Sequence, residues 1–276
     1  MSLLSDLFSK KITTITKEHL NGVENIKPYC FSHLPLLTEV TLPDSVKNIG
    51  TMAFASCESL SKVTFGKNVS YIGIAAFGNC TSLEYINAED INPYCLANNS
   101  TLYSLFENTK WNNDHSEGSM ITIAKGKILV DNKITTPSSG FEIPNTVVNL
   151  MPYSCRKYGD TVDSNFTSVV IPDTIEMVQC SIFSGQTALT QITVGSNVNR
   201  FTGTLTPGTN IKNLIFRQPA GMVIELPEAG KDCYGLGYNK DSYSINIYTD
   251  NEYIKNYDWA ADNVTATFYP LSEAPA

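Results

Sequence analysis

The sequence predicts a solenoid of stacked repeats around a continuous parallel β-sheet. Three observations carry that reading. Apolar residues recur every 23 positions, as in Phe31, Phe54 and Phe77, in Leu37, Leu60 and Leu83, and in Ile26, Ile49 and Ile72. The frame returns downstream at Phe166, Val169, Ile171, Ile175, Val178 and Phe183, then at Leu189 to Phe201, and last at Ile211, Leu214 and Phe216. One copy cannot bury its own apolar side, so successive copies must stack.

Each copy divides into three parts. Leu-x-x-Val-x-Leu/Phe alternates at its end as a strand with one buried face. A turn follows at Pro43-Asp44-Ser45, Gly66-Lys67-Asn68 or Pro172-Asp173-Thr174, built from residues that tolerate bent backbone. Val-x-x-Ile, then Phe five residues later, returns the chain to the next strand through short turns and 3-10 or helical segments.

The frame breaks in two places. From Trp111 to Gly140 the period vanishes, and Ile121 to Val130 reads as two short strands around Lys125-Gly126-Lys127, a hairpin signal. Arg156 to Asn165 adds five residues, which predicts a protruding polar loop. The expected organisation is therefore a cap or attachment segment over 1–22, repeats over 23–110, a hairpin-like insertion over 111–145, repeats over 146–225 and a C-terminal cap over 226–276. Leu3, Leu4, Leu7 and Phe8 predict a short amphipathic helix within residues 3 to 20. Asp250 is the expected N-cap of a helix through Tyr253, Ile254 and Tyr257, followed by a closing strand at Val264 to Tyr269.

Leu37-Thr-Glu-Val-Thr-Leu-Pro-Asp-Ser-Val-Lys-Asn-Ile-Gly-Thr-Met-Ala-Phe54 and Ala-Ala-Phe77-Gly-Asn-Cys80-Thr-Ser-Leu83 resemble the BspA-like leucine-rich repeat. The resemblance covers roughly residues 23 to 225 with one interruption. It implies a leucine-rich-repeat solenoid with terminal caps. It also implies the setting of its relatives, bacterial or protist surface proteins linked to adhesion and, in some cases, prophage-encoded proteins.

Composition narrows the function. Nineteen Lys and Arg against 27 Asp and Glu give a net charge of −8, which would repel a phosphate backbone, so no nucleic-acid partner is expected. No apolar run is long enough to span a membrane. Residues 1 to 20 mix Lys10, Lys11 and Lys17 with polar residues and carry no apolar signal-peptide core, so the expectation is export by another route or a leader outside this sequence.

No catalytic set, metal site or cofactor is expected. Asp114-His115-Ser-Glu117 reads as a solvated polar tip, without the spacing of a zinc or calcium loop. The seven cysteines are an odd number. Cys30 and Cys95 are assigned to the small-residue position of Ala53 and Ala76, and Cys57 and Cys80 share another, so these four read as core fillers. Whether Cys57 and Cys80 pair stays open, Cys155 replaces a repeat Phe, and Cys233 is the candidate for a free or intermolecular thiol. Tyr234, Tyr238, Tyr243 and Tyr248 near the C-terminal cap form a candidate sugar-binding aromatic patch, whereas Tyr29, Tyr94 and Tyr153 read as one packing position.

Side chains beside the apolar strand positions project from the opposite sheet face. That places Glu39, Thr41, Lys62, Thr64, Tyr85, Asn87, Ser168, Gln191, Thr193 and Asn213 in rows on an exposed face, a mix that suits polar contact. The expected function is a non-enzymatic binding or adhesion protein presenting this surface to a protein or glycan on a cell surface. The alternative is a bacteriophage virion or tail-associated decoration or host-contact protein.

Overall fold

The computed structural model describes residues 10–97, 106, 108–113, 120–132, 138–152, 154–155, 166–183, 185–205, 210–230 and 242–275. It divides into two units. The first is Met1–Ser116 with Ile121–Lys125, and the second is Glu117–Met120 with Gly126–Ala276. Both are parallel-strand solenoids with almost no helix.

Each rung of the first unit contributes two strands. One sheet holds β1 (Thr14–Ile15), β3 (Glu39–Thr41), β5 (Lys62–Thr64) and β7 (Tyr85–Asn87), and the other holds β2 (Asn25–Ile26), β4 (Asn48–Ile49), β6 (Tyr71–Ile72) and β8 (Leu96–Ala97). All pairs are parallel, with Val40 opposite Val63 and Val63 opposite Ile86. The Val-x-x-Ile part of the repeat therefore ends in a second strand rather than serving only as a return.

In the rungs described through it, the return is made of turns rather than 3-10 or helical segments. In three successive rungs it carries two left-handed residues four apart, Tyr29 and His33, Met52 and Ser56, then Ala75 and Asn79, with φ between 47° and 59°. A helix would keep its N–H groups within the rung. Here the N–H groups of Tyr29, Phe31 and His33 donate to the carbonyls of Thr51, Ala53 and Ala55 in the next rung, at 3.0, 2.8 and 2.9 Å. A left-handed non-glycine residue costs about 1–2 kcal/mol, and this inter-rung ladder offsets it by satisfying the buried backbone.

Phenylalanines fill the interior behind the return. Phe31, Phe54 and Phe77 stack at centroid distances of 5.3 and 5.1 Å, and Phe106 continues the column at 5.9 Å from Phe77. Trp111, in helix α1 (Lys110–Asn113), packs edge-on against Phe106 at 5.1 Å.

The turn glycines serve close approach more than bending. Gly66 stands over Pro43 of the preceding rung, where a Cβ would run into the Pro43 carbonyl, and Gly195 repeats this over Pro172. Neither has a positive φ.

In the second unit, β10 (Ile128–Asn132), β12 (Asn149–Leu150), β14 (Met177–Val178) and β16 (Arg200–Phe201) pair in that order. The other sheet runs β11 (Ser138–Glu142), β13 (Phe166–Ile171), β15 (Gln191–Val194), β17 (Asn213–Phe216), β18 (Tyr243–Thr249) and β19 (Val264–Tyr269). A single buried cluster runs from Leu129 to Val264.

Several boundaries move. Among the described residues the first strand is β1, with Thr14 paired to Glu39, which places residues 14 to 15 in the sheet of the rungs. Residues 10 to 20 form a strand and turns; Leu3, Leu4, Leu7 and Phe8 lie outside the described residues. Strand β9 (Met120–Ile123), the turn Ala124–Lys127 and β10 follow the strand–turn–strand order expected there, with Ala124, Lys125 and Gly126 left-handed. Yet β10 and β11 are sheet strands of rungs, so the repeats resume before residue 146. Glu142 opposite Val170 is an offset of 170 − 142 = 28 residues, five more than the period, which accommodates 156–165. At the C-terminus the helix is α2 (Glu252–Lys255), and its N-cap is Asn251, not Asp250. Asp250 instead accepts from the Leu271 N–H at 3.2 Å. The closing strand is β19.

Phe54→Ala should lower stability by about 3–5 kcal/mol, because Phe54 is fully buried between two stacked rings. Gly66→Ala should cost about 1–3 kcal/mol from the clash, whereas Gly221→Ala, with nothing within 4 Å, should be near neutral. Urea unfolding of the three variants checks both.

Candidate functional site

Register brings six of the ten sequence-selected residues into two rows on the first unit. Glu39, Lys62 and Tyr85 form one, and Thr41, Thr64 and Asn87 the other. Lys62 Nζ lies 2.8 Å from Glu39 and 5.8 Å from the Tyr85 ring centroid. The hydrogen bond to Glu39 holds the Lys62 ammonium above its ordinary range. Tyr85 is 51% exposed. The row is thus an acid, a base and an aromatic edge at strand spacing, each touching the next.

The same alternation recurs elsewhere on this unit. Lys47 pairs with Glu24 at 2.9 Å and Lys67 with Asp44 at 3.3 Å, again between equivalent positions of adjacent rungs. The Lys67 N–H, donating to Asp44 Oδ1 at 3.1 Å, holds the Asp44 carboxyl below its usual range. Exposed pairs of this kind contribute little stability singly; they fix which charge sits where.

The second unit gathers Ser168, Gln191 and Asn213 into a row that continues to Asn246, whose Nδ2 donates to Asn213 Oδ1 at 3.2 Å. Asn246 was missed because 33 residues, not 23, separate it from Asn213. Thr193 does not belong on an exposed face, being only 3% exposed. It lies in register between Val170, which is exposed, and Ile215, which is buried, so the face is already closed at the Thr193 strand.

The second sheet of the first unit presents a further row, Asn25, Asn48 and Tyr71, with Asn48 Nδ2 donating to Asn25 Oδ1 at 2.6 Å. Two-residue strands give no readable alternation, so the sequence offered no signal for it. On the return face a cavity of about 110 Å³ is lined by Tyr29, His33, Met52, Ser56 and Asn79. A second, of about 500 Å³, lies beside α2.

The thiols form part of the packing. Cys57 and Cys80 donate to the carbonyls of Phe31 and Phe54, at 3.1 and 3.2 Å, and no disulfide joins them. Gln186, at the equivalent position of the second unit, donates to the Cys155 carbonyl at 3.2 Å. Burial pushes Cys57 up to about 11 and Cys80 and Cys95 up to about 12, which removes the thiolate a nucleophile needs. Two sequence assignments change. Cys30 is exposed rather than a core filler. Cys95 does not share its position, because Leu96 pairs with Tyr71 and so aligns Cys95 with Ser70. Tyr94 therefore does not share the position of Tyr29, and both are exposed. Cys233, Tyr153, Tyr234, Tyr238 and the Asp114–Glu117 segment lie outside the described residues. Of the expected aromatic patch, Tyr243 is buried and Tyr248 stacks on Tyr269 at 5.1 Å.

Among the described residues no group of three or more His, Cys, Asp or Glu could hold a metal ion, and no helix is long and apolar enough to cross a membrane. The family described as BspA type leucine rich repeat region matches in six copies over residues 4–117 and 162–257. The chain belongs to this family. No curated protein matches it. Among solved structures, this BspA-type chain is similar to the pneumococcal vaccine antigen PcpA, at 15% identity and TM-score 0.31 over 96% of this chain and 78% of that one. A leucine rich cell surface protein from Faecalibacterium prausnitzii matches at 17% and 0.31, over 93% and 88%. A leucine-rich repeat protein from Bacteroides ovatus matches at 17% and 0.31, over 95% and 85%.

The buried thiols make stability fall at alkaline pH. An unfolded thiol ionises near 9, whereas folded Cys57 stays protonated to about 11. The contribution is whole below 9 and is lost as pH rises toward the folded value, at about 1.4 kcal/mol per pH unit. Cys57→Ser, which keeps a donor for the Phe31 carbonyl, should therefore lose less stability than the parent between pH 9 and 11 in urea unfolding.

Proposed function

We propose that this protein is a non-enzymatic binding or adhesion protein that meets a protein partner at a cell surface through the outer face of its first-unit sheet. The row Glu39–Lys62–Tyr85 carries the reading. It offers both signs of charge and an exposed aromatic ring in fixed register, flanked by the hydroxyls of Thr41 and Thr64. Aromatic residues anchor protein contacts, and paired charges supply specificity. The backbone ladder beneath holds these groups in place, so little freedom is lost on docking. Family membership supports the same role, since repeat arrays are contact scaffolds.

Binding to a panel of immobilised host matrix and surface proteins tests this. The combined variant Glu39→Lys, Lys62→Glu, Tyr85→Ala keeps an ion pair while reversing the pattern and removing the ring. Binding should weaken by about tenfold or more, with an unchanged melting temperature. Equal binding by parent and variant would show that this face is not the contact.

A further inference from the structure

We propose that the groove beside α2 in the second unit is a binding site for a neutral saccharide. The groove has a volume of about 500 Å³, within the range of small-molecule sites. Leu226 and Pro227 line one side, and Tyr253, Asn256, Tyr257 and Asp258 line the other. Its described aromatic groups, Tyr253 and Tyr257, differ from Tyr243 and Tyr248 of the sequence-indicated patch, which are committed to packing and stacking.

The chemistry of the lining selects the ligand class. Tyr253 is 43% exposed, and Tyr257 is half-buried against the core. Their ring faces suit the C–H face of a pyranose, a surface apolar on one side and hydroxylated at its rim. Asn256 offers a donor and an acceptor; Asp258 accepts from the Ala261 N–H with Oδ1 and Glu252 from Lys255 with Oε1, which leaves the second oxygen of each carboxylate to accept from hydroxyls. Among the described residues the lining carries two acids, Glu252, paired with Lys255 at 3.0 Å, and Asp258, whose unpaired negative charge disfavours an anionic sugar.

Both walls are held in advance of any ligand. Buried Asn251 accepts from the N–H groups of Tyr253 and Ile254 and donates to the carbonyls of Pro219 and Met222, at 2.7 and 2.9 Å. Asp262, fully buried, accepts from the Tyr257 hydroxyl at 2.8 Å with one oxygen and from the Gly230 N–H at 2.7 Å with the other. One carboxylate thus fixes Tyr257 on one wall and the end of the segment Pro227–Gly230 on the other. Trp259 supports the Tyr257 ring edge-on at 5.2 Å. Such preorganisation lowers the entropic cost of binding a flexible-rimmed ligand.

This site lies in the second unit and stands independently of the protein-contact surface on the first. Saturation-transfer NMR with lactose, maltose and N,N′-diacetylchitobiose, and with N-acetylneuraminic acid as the anionic probe, tests it on the full chain. At least one neutral probe should saturate with a Kd on the order of 1 mM. Tyr253→Ala should weaken it about tenfold, and Asn256→Ala should weaken it as well. Both side chains are exposed, so an unchanged melting temperature is expected. Absence of saturation by every neutral probe, parent-like binding by both variants, or tighter binding of the anionic probe would overturn the proposal.

Discussion

Everything in the fold depends on rungs stacking in register through parallel backbone hydrogen bonds on three sides of the turn. Two sides are conventional strands. The third is the return, where left-handed residues at Tyr29, Met52 and Ala75, and again at His33, Ser56 and Asn79, point alternate N–H groups toward the following rung. A chain that turned by helix there would satisfy its own backbone and leave adjacent rungs joined on two sides only. With all three ladders in place, a residue in one rung lies against its equivalent in the next. Stacked Phe rings, paired Asn amides and ion pairs are products of that repetition.

The inward half of the fold was readable from the sequence, because a 23-residue period in Phe, Leu, Val and Ile marks burial strongly. Phe106 was not, since 29 residues separate it from Phe77. The second sheet was hidden by its two-residue strands, and the left-handed returns by residues such as Tyr, Met and Ala that give no local hint of that geometry. Ile143-Pro-Asn-Thr-Val147-Val-Asn-Leu150 repeats the pattern of Leu42 to Ile49, and Phe141 and Ile143 keep the alternation of Val40 and Leu42, but Ser138 stands where Leu37, Leu60 and Leu83 open their copies, which hides this one. Cys95 shows the opposite failure. A three-residue echo, Pro-Tyr-Cys, suggested one alignment, and backbone register imposes another.

The outward half was legible as a set of positions but not as an environment. Glu39, Lys62 and Tyr85 touch as strand spacing requires. Thr193 fails because strands β15 and β17 are buried on both faces at their C-terminal ends, which alternation alone does not record. The cap groove was invisible for a different reason. Its walls come from Leu226–Ala229 and Glu252–Asp258, joined through a buried Asp262, and no periodicity links those segments.

The ion pairs give the repeats an order. Residues 24, 39 and 44 are all acidic, and the residues 23 positions later, at 47, 62 and 67, are all lysine. Two copies that look interchangeable in their apolar letters are therefore distinct members of a sequence. Duplicating either one in tandem would set three like charges against three others at strand spacing, and sliding the stack by one repeat would break every pair. The apolar residues say that rungs must stack; the charged ones say which rung comes next.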